Sequence, residues 1–133
     1  MPEGMFWHAL TAANRKIMRG PGRMEREIMK NELRTYVDEG TGYVIRQYTA
    51  GPEKNTKLYF TTENFTVDDQ YFFFNKEVGE KKNELYRAHV ESGDYELMAD
   101  SSYTGFAMDR FENYGVMTKG DVVCRLDCDD KTI

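Results

Sequence analysis

Acid–base chemistry in this 133-residue chain would fall to few groups, because it holds only two histidines, His8 and His89. His89 lies on an expected strand, on the face opposite Tyr86, Ala88 and Val90, and reads as a solvated surface imidazole rather than a general base. His8 stands far away in the N-terminal segment, and two isolated histidines do not make a metal site. Cys124 and Cys128 are four residues apart on one expected strand. That places them about 13 Å apart, beyond the ~7 Å Cα separation a disulfide tolerates, so both read as free, half-buried thiols. The acidic run Asp127, Asp129 and Asp130 lacks the glycine and terminal glutamate of a calcium loop and reads as a charged turn. No phosphate-cradling glycine loop and no Ser/His/Asp set can be assembled. Asn64-Phe65-Thr66 matches a glycosylation acceptor, which has no meaning without export. No catalytic and no metal-ligating residue is assigned to the chain.

What remains is a set of lysines, amides and hydroxyls beside turns. Together they have the chemistry to hold the carboxylates of an acidic ligand. Whether they converge depends on the elements that carry them. The bulk charge does not help, since the formal net charge is -5 and the pI near 5.1. Such a chain is not a phosphate-tracking nucleic-acid binder, which shows a basic stripe. No apolar run approaches the ~20 residues of a membrane-spanning helix. The apolar stretch from Met5 to Ala13 has its positive charges after it, at Arg15, Lys16, Arg19 and Arg23, the reverse of a secretory signal. With two unpaired thiols, this predicts a cytoplasmic protein without nucleic-acid or membrane partners.

Residues 1 to 32 read as a leader, weakly helical or disordered, without two-residue alternation. Met24-Glu-Arg-Glu-Ile-Met29 is compatible with a purine-rich coding run, which predicts a natural start at Met29. From residue 33 the reading changes to short strands. Arg34 to Asp38 and Tyr43 to Thr49 flank Glu39-Gly40-Thr41-Gly42, a hairpin turn. Lys57 to Thr61, Gln70 to Asn75, Glu84 to Val90 and Asp94 to Ala99 then form an antiparallel meander with polar turns. The pattern recurs in Gly105 to Met108, Tyr114 to Met117 and Val122 to Cys128, and stops before a full fourth strand.

A four-strand repeat of this length points to an all-β fold, a partial β-propeller. Residues 33–49 would supply the outer strands of a closing blade, 56–100 a full four-stranded blade, and 103–133 most of a second. A self-contained β-sandwich or curled sheet is the competing architecture. In the propeller, one face gathers Lys54, Asn55, Lys57, Asn75, Lys76, Lys81, Lys82, Ser101, Ser102, Tyr103 and Lys119. Asn55, Lys57, Asn75 and Lys76 are the favoured substrate-binding residues, because they adjoin inner strands near the central axis.

The order Arg46-Gln47-Tyr48-Thr49, Leu58-Tyr59-Phe60-Thr61, Asn64-Phe65-Thr66-Val67-Asp68-Asp69, Tyr71-Phe72-Phe73-Phe74, Leu85-Tyr86-Arg87 and Glu91-Ser92-Gly93-Asp94 resembles the N-terminal portion of the oligogalacturonate lyases. The resemblance covers about residues 34–133. It implies a cytoplasmic propeller enzyme of pectin degradation that breaks short pectin fragments by β-elimination, with an acidic oligosaccharide as partner. That reaction needs a base for the C5 proton, positive charge on the C6 carboxylate and help for the departing C4 oxygen. By resemblance the family's histidine base, and the histidines and glutamine that hold its manganese, belong to later blades. The chain itself is then expected to be inactive and free of cofactor, with manganese in the full-length parent. Two departures stand out: Asn55, Thr56 and Lys57 replace a histidine-rich stretch, and Asn75-Lys76-Glu77-Val78 replaces a Ser-Asp-Arg element. A non-enzymatic propeller segment of the TolB type, binding a sugar or a protein, is the alternative, as is a small β domain. Open strand edges predict pairing with missing blades or self-association.

Overall fold

The computed structural model of the protein describes residues 29–133. His8, the leader up to residue 28 and most of the proposed Met29 start signal lie outside them. The described chain is all β, in ten strands: β1 Lys30–Asn31, β2 Arg34–Val37, β3 Val44–Gln47, β4 Asn55–Lys57, β5 Tyr71–Gly79, β6 Lys82–His89, β7 Asp94–Ala99, β8 Thr104–Met108, β9 Tyr114–Lys119 and β10 Val122–Asp127. They form three antiparallel sheets, one five-stranded in the order β1-β7-β6-β5-β4, one three-stranded in the order β10-β9-β8, and the β2-β3 hairpin.

The meander from β4 to β7 is the middle of the fold, and both its faces are covered. In antiparallel strands successive side chains alternate between faces. One face of this sheet carries Phe73, Leu85 and Met98, which join Met108, Met117, Leu126 and Cys128 in a core against the three-stranded sheet. The other carries Phe74, Tyr86, Tyr95 and Leu97, packed with Phe72 and with Tyr48 from beyond β3. Tyr48 also donates its hydroxyl to the Val90 carbonyl at 2.7 Å, and Arg46 reaches the Glu91 carbonyl at 2.6 Å. These bonds fasten the residues around β3 to the far end of β6.

Two differences from the sequence reading have local causes. The first strand of the meander ends at Lys57, whereas Leu58 to Thr61 were expected to continue it. The Asn64 side chain accepts the Leu58 amide at 3.2 Å, and the Thr62 amide returns to the Tyr59 carbonyl at 3.0 Å. The chain therefore turns at once, leaving Leu58 in the core while Tyr59 and Phe60 point outward as a tilted ring pair 4.5 Å apart. Secondly, β1, from the last residues of the leader, lies alongside β7, with Lys30 registered on Tyr95 and Asn31 on Asp94. Asn31 supports this by donating to the Ser92 carbonyl and the Asp94 carboxylate.

Candidate functional site

The hairpin turn between β5 and β6 carries Lys81, with Lys82 opening β6, and the connection from β7 to β8 carries Ser101 and Tyr103. The two segments meet over a groove of ≈ 180 Å³ between the five-stranded and three-stranded sheets. Asn75 and Asn83 add amide groups to its wall, and its apolar lining comes from Leu85, Phe106 and Met117. The Lys119 ammonium stands 5.1 Å from the centre of the Tyr103 ring, which keeps a further positive charge beside the groove. A cation over an aromatic face is attracted by the ring quadrupole. The neighbouring acid, Asp100, is already engaged: the Ser102 hydroxyl and amide, with Lys119 nearby, hold its carboxyl below the usual range. Lysines, amides and a hydroxyl above an apolar floor can hold a carboxylate and the face of a sugar ring.

Local structure explains how the floor is made. A Cβ on Gly115 would approach the Phe106 ring to 2.3 Å, so glycine lets that ring settle against Phe73, 4.9 Å away centre to centre. Gly105 has φ +69°, where the β8–β9 register shifts between Thr104 and Ala107. Such a bulge redirects the strand beside the groove. Lys81 has φ 57°, a left-handed conformation in a residue with a side chain.

The four favoured binding residues are split by the pleat. Asn55 is registered on Lys76 and Lys57 on Phe74, on one face, whereas Asn75 is registered on Thr56 on the other. Asn75 therefore lines the groove just described. Asn55 and Lys57 line a second, more apolar groove of ≈ 430 Å³ with Tyr48, Phe65, Phe72 and Phe74. Asn55 donates to the Glu53 carbonyl at 3.0 Å, while its side-chain oxygen is buried without a partner. Lys76 lies buried, with its ammonium 5.4 Å from the Tyr86 ring centre, 5.9 Å from that of Tyr95, and 3.5 Å from Glu53. Of the other rim residues, Lys54 pairs with Glu77 at 3.6 Å.

The groups set aside in the sequence have structural partners. His89 accepts the Ser92 amide at Nδ1, 3.1 Å, and packs edge-on to Tyr71, capping the turn into β7. Asp127 accepts the amides of Asp129 and Asp130, each at 3.0 Å, as a turn-forming carboxylate. Both cysteines are free, and burial pushes the Cys128 thiol up to about 11. Sequence reasoning missed a buried charge cluster. Arg87 donates from Nε and Nη2 to one oxygen of Glu96, at 2.9 and 2.8 Å, and from Nη1 to the Cys128 carbonyl at 2.7 Å. Lys131 holds the second Glu96 oxygen at 2.8 Å. A charged residue at each of two facing strand positions was the available signal.

Antiparallel sheets with this order define the fold class as an all-β assembly of meanders. Oligogalacturonate lyases are among the solved structures the chain resembles. The enzyme from Vibrio parahaemolyticus superposes with a TM-score of 0.64 at 15% identity, over 84% of this chain and 30% of its own. An oligogalacturonate lyase in complex with manganese gives 0.64 at 16% identity, over 80% of this chain and 29% of its own. The resemblance read from the sequence is thus present in the structure, and at this identity it is a likeness of fold. The chain spans about 30% of the length of these structures. No family model and no curated protein matches it. Among the described residues no group of three or more His, Cys, Asp or Glu side chains is placed to hold a metal. With His89 committed to its turn, the donors among the described residues do not fit manganese.

Proposed function

We propose that this chain is the N-terminal portion of a β-propeller that acts on short, acidic pectin fragments, and that its contribution is to bind a uronate unit. The supporting observation is the groove between the two sheets, where Lys81, Lys82, Asn75, Asn83 and Ser101 stand over Leu85, Phe106 and Met117. Ammonium groups attract a C6 carboxylate, amides and the hydroxyl bond ring oxygens, and the apolar floor accepts the less polar face of a pyranose.

In this reading residues 56–100 and 103–133 belong to successive blades, and 33–49 to the blade that closes the ring. The base, the manganese and the departing-oxygen acid come from later parts of a longer, cytoplasmic parent. Of the four residues favoured from sequence, Asn75 serves the groove directly. Asn55 and Lys57 offer a second contact at the neighbouring groove, and Lys76 braces the sheet between them. The natural polypeptide that carries this segment is expected to convert oligogalacturonides to products with the ultraviolet absorbance of an unsaturated uronate, and to lose this on chelation. A polypeptide that binds trigalacturonate without forming that product would retain the binding role and remove the lyase role. One that neither binds nor cleaves would remove both.

A further inference from the structure

We propose that Arg87, Glu96 and Lys131 form an acid-sensitive latch that holds the turn carrying Cys128 against the five-stranded sheet, and that releasing it frees the turn while both sheets stay folded. Arg87 and Glu96 come from β6 and β7 of one sheet, whereas the Cys128 carbonyl and Lys131 belong to the turn after β10 of the other. Every strong polar bond of the cluster therefore either makes the Arg87–Glu96 pair or crosses between the sheets. A carboxylate that loses its charge among buried cations loses the attraction that offsets their desolvation.

The surroundings of Glu96 allow this assignment. Arg87 faces it from β6 and Lys131 from the turn, each at 2.8 Å. From β5, the Tyr71 ring covers the guanidinium at 4.1 Å. Asp68 feels the Arg87 charge, and Asp127 and Asp129 act on Cys128 from its own turn. On its other side β7 is bordered by β1, which registers with Tyr95 and Asp94 and stops short of Glu96. Burial raises the affinity of Glu96 for a proton, but the bonds and charges of Lys131 and Arg87 outweigh it and hold the carboxyl below its ordinary value. The turn keeps a second tether when the latch opens, since the Cys128 amide donates to the Asn113 carbonyl at 2.9 Å and Asn113 donates to Asp129 at 3.1 Å. Release is therefore local.

Cys128 is a built-in reporter, since it is buried while the latch is closed. In the 133-residue chain with Cys124→Ser, its labelling by an aromatic disulfide reagent that works in acid would be timed against pH, with far-ultraviolet circular dichroism alongside. The expected result is slow labelling at neutral pH and acceleration as Glu96 protonates, with the β-sheet signal intact. Glu96→Gln, and Lys131→Met as the milder change, should label faster already at neutral pH, by about tenfold or more for Glu96→Gln. Glu96→Gln should also lose the acid dependence, whereas Lys131→Met, which keeps the Glu96 carboxylate beside Arg87, should retain it. Parental labelling rates in both variants, or labelling only in step with loss of the β-sheet signal, would overturn the proposal.

Discussion

The Arg87 guanidinium and the Glu96 carboxylate face each other across β6 and β7, and two guanidinium nitrogens converge on a single carboxylate oxygen at 2.9 and 2.8 Å. A pair this buried adds little over a well-packed apolar pair, but breaking it leaves a charge without compensation. Glu96→Ala should therefore cost about 3–5 kcal/mol in urea unfolding at neutral pH, and Arg87→Met with Glu96→Leu should recover most of it. If the single change proves as mild as the double one, the pair is not a stabilising contact.

The pH dependence follows in sign. Glu96 has a folded value held below its ordinary 4.5, so its contribution is fully present above that value and is lost as pH falls through the lowered one. Asp68, held down by the Thr66 hydroxyl and the Gln70 amide, and Glu32, held down by the Ala50 amide, act in the same direction. Unfolding free energy should be nearly flat from about pH 5 to about 8 and fall in acid. In Glu96→Gln the acid fall should be shallower, and an unchanged slope would contradict the assignment.

At alkaline pH the sign reverses for Cys128. Desolvation raises its thiol from 9.0 to about 11, so its contribution is intact below 9.0 and is lost as pH rises through the folded value. The difference corresponds to roughly 2–3 kcal/mol. Cys128→Ala should be less stable at neutral pH by about 1 kcal/mol, from the small void, yet lose less stability than the parent between about pH 9 and about 11. Parallel curves for the two proteins would refute this.

Most of the strands were legible in the sequence, and the buried charges were not. Asp94 to Ala99 was expected as a strand and is one, and the expected strands at Tyr114 and Val122 begin at those residues. Period-two alternation and polar turns locate such elements reliably. The same alternation gives no sign that Arg87 and Glu96 are buried, because it assigns polar residues to a solvent face and here both faces of the middle sheet are covered. Lys76 was missed as a buried residue for the same reason: it shares its face with Phe74, and aromatic rings shield its ammonium. Leu58-Tyr59-Phe60 has strong strand propensity, but the Asn64 side chain ends the strand there, a contact six residues away that propensity does not encode. The candidate groove was half visible. Its lysines, Asn75, Ser101 and Tyr103 were on the expected rim, whereas Asn83 and the floor residues came only with the register.

Lys81 separates binding from stability. Its left-handed backbone conformation costs a residue with a Cβ about 1–2 kcal/mol, part of which glycine returns through greater freedom in the unfolded chain. Lys81→Gly should therefore leave stability unchanged or raise it by up to about 1 kcal/mol, while weakening the affinity for trigalacturonate. A loss of stability in thermal unfolding would show that the lysine side chain holds the turn instead.

Gly115 tests the floor of the groove. Gly115→Ala drives a methyl group into the Phe106 ring, whose displacement should cost about 1–3 kcal/mol. Combining it with Phe106→Leu should restore part of that loss. Failure of the smaller residue to help would mean that the Ala107 carbonyl oxygen, 3.0 Å from where the new methyl carbon would sit, is the true obstacle.

The central claim, that the groove between the sheets receives an acidic sugar, is tested most directly by titrating the isotope-labelled 133-residue chain with trigalacturonate and following its amide resonances. The account predicts saturable shifts clustered at Asn75, Lys81 to Asn83, Ser101 and Tyr103, weakened by salt and absent with neutral maltotriose. Shifts of equal size with maltotriose, shifts centred elsewhere, or none at all would contradict it.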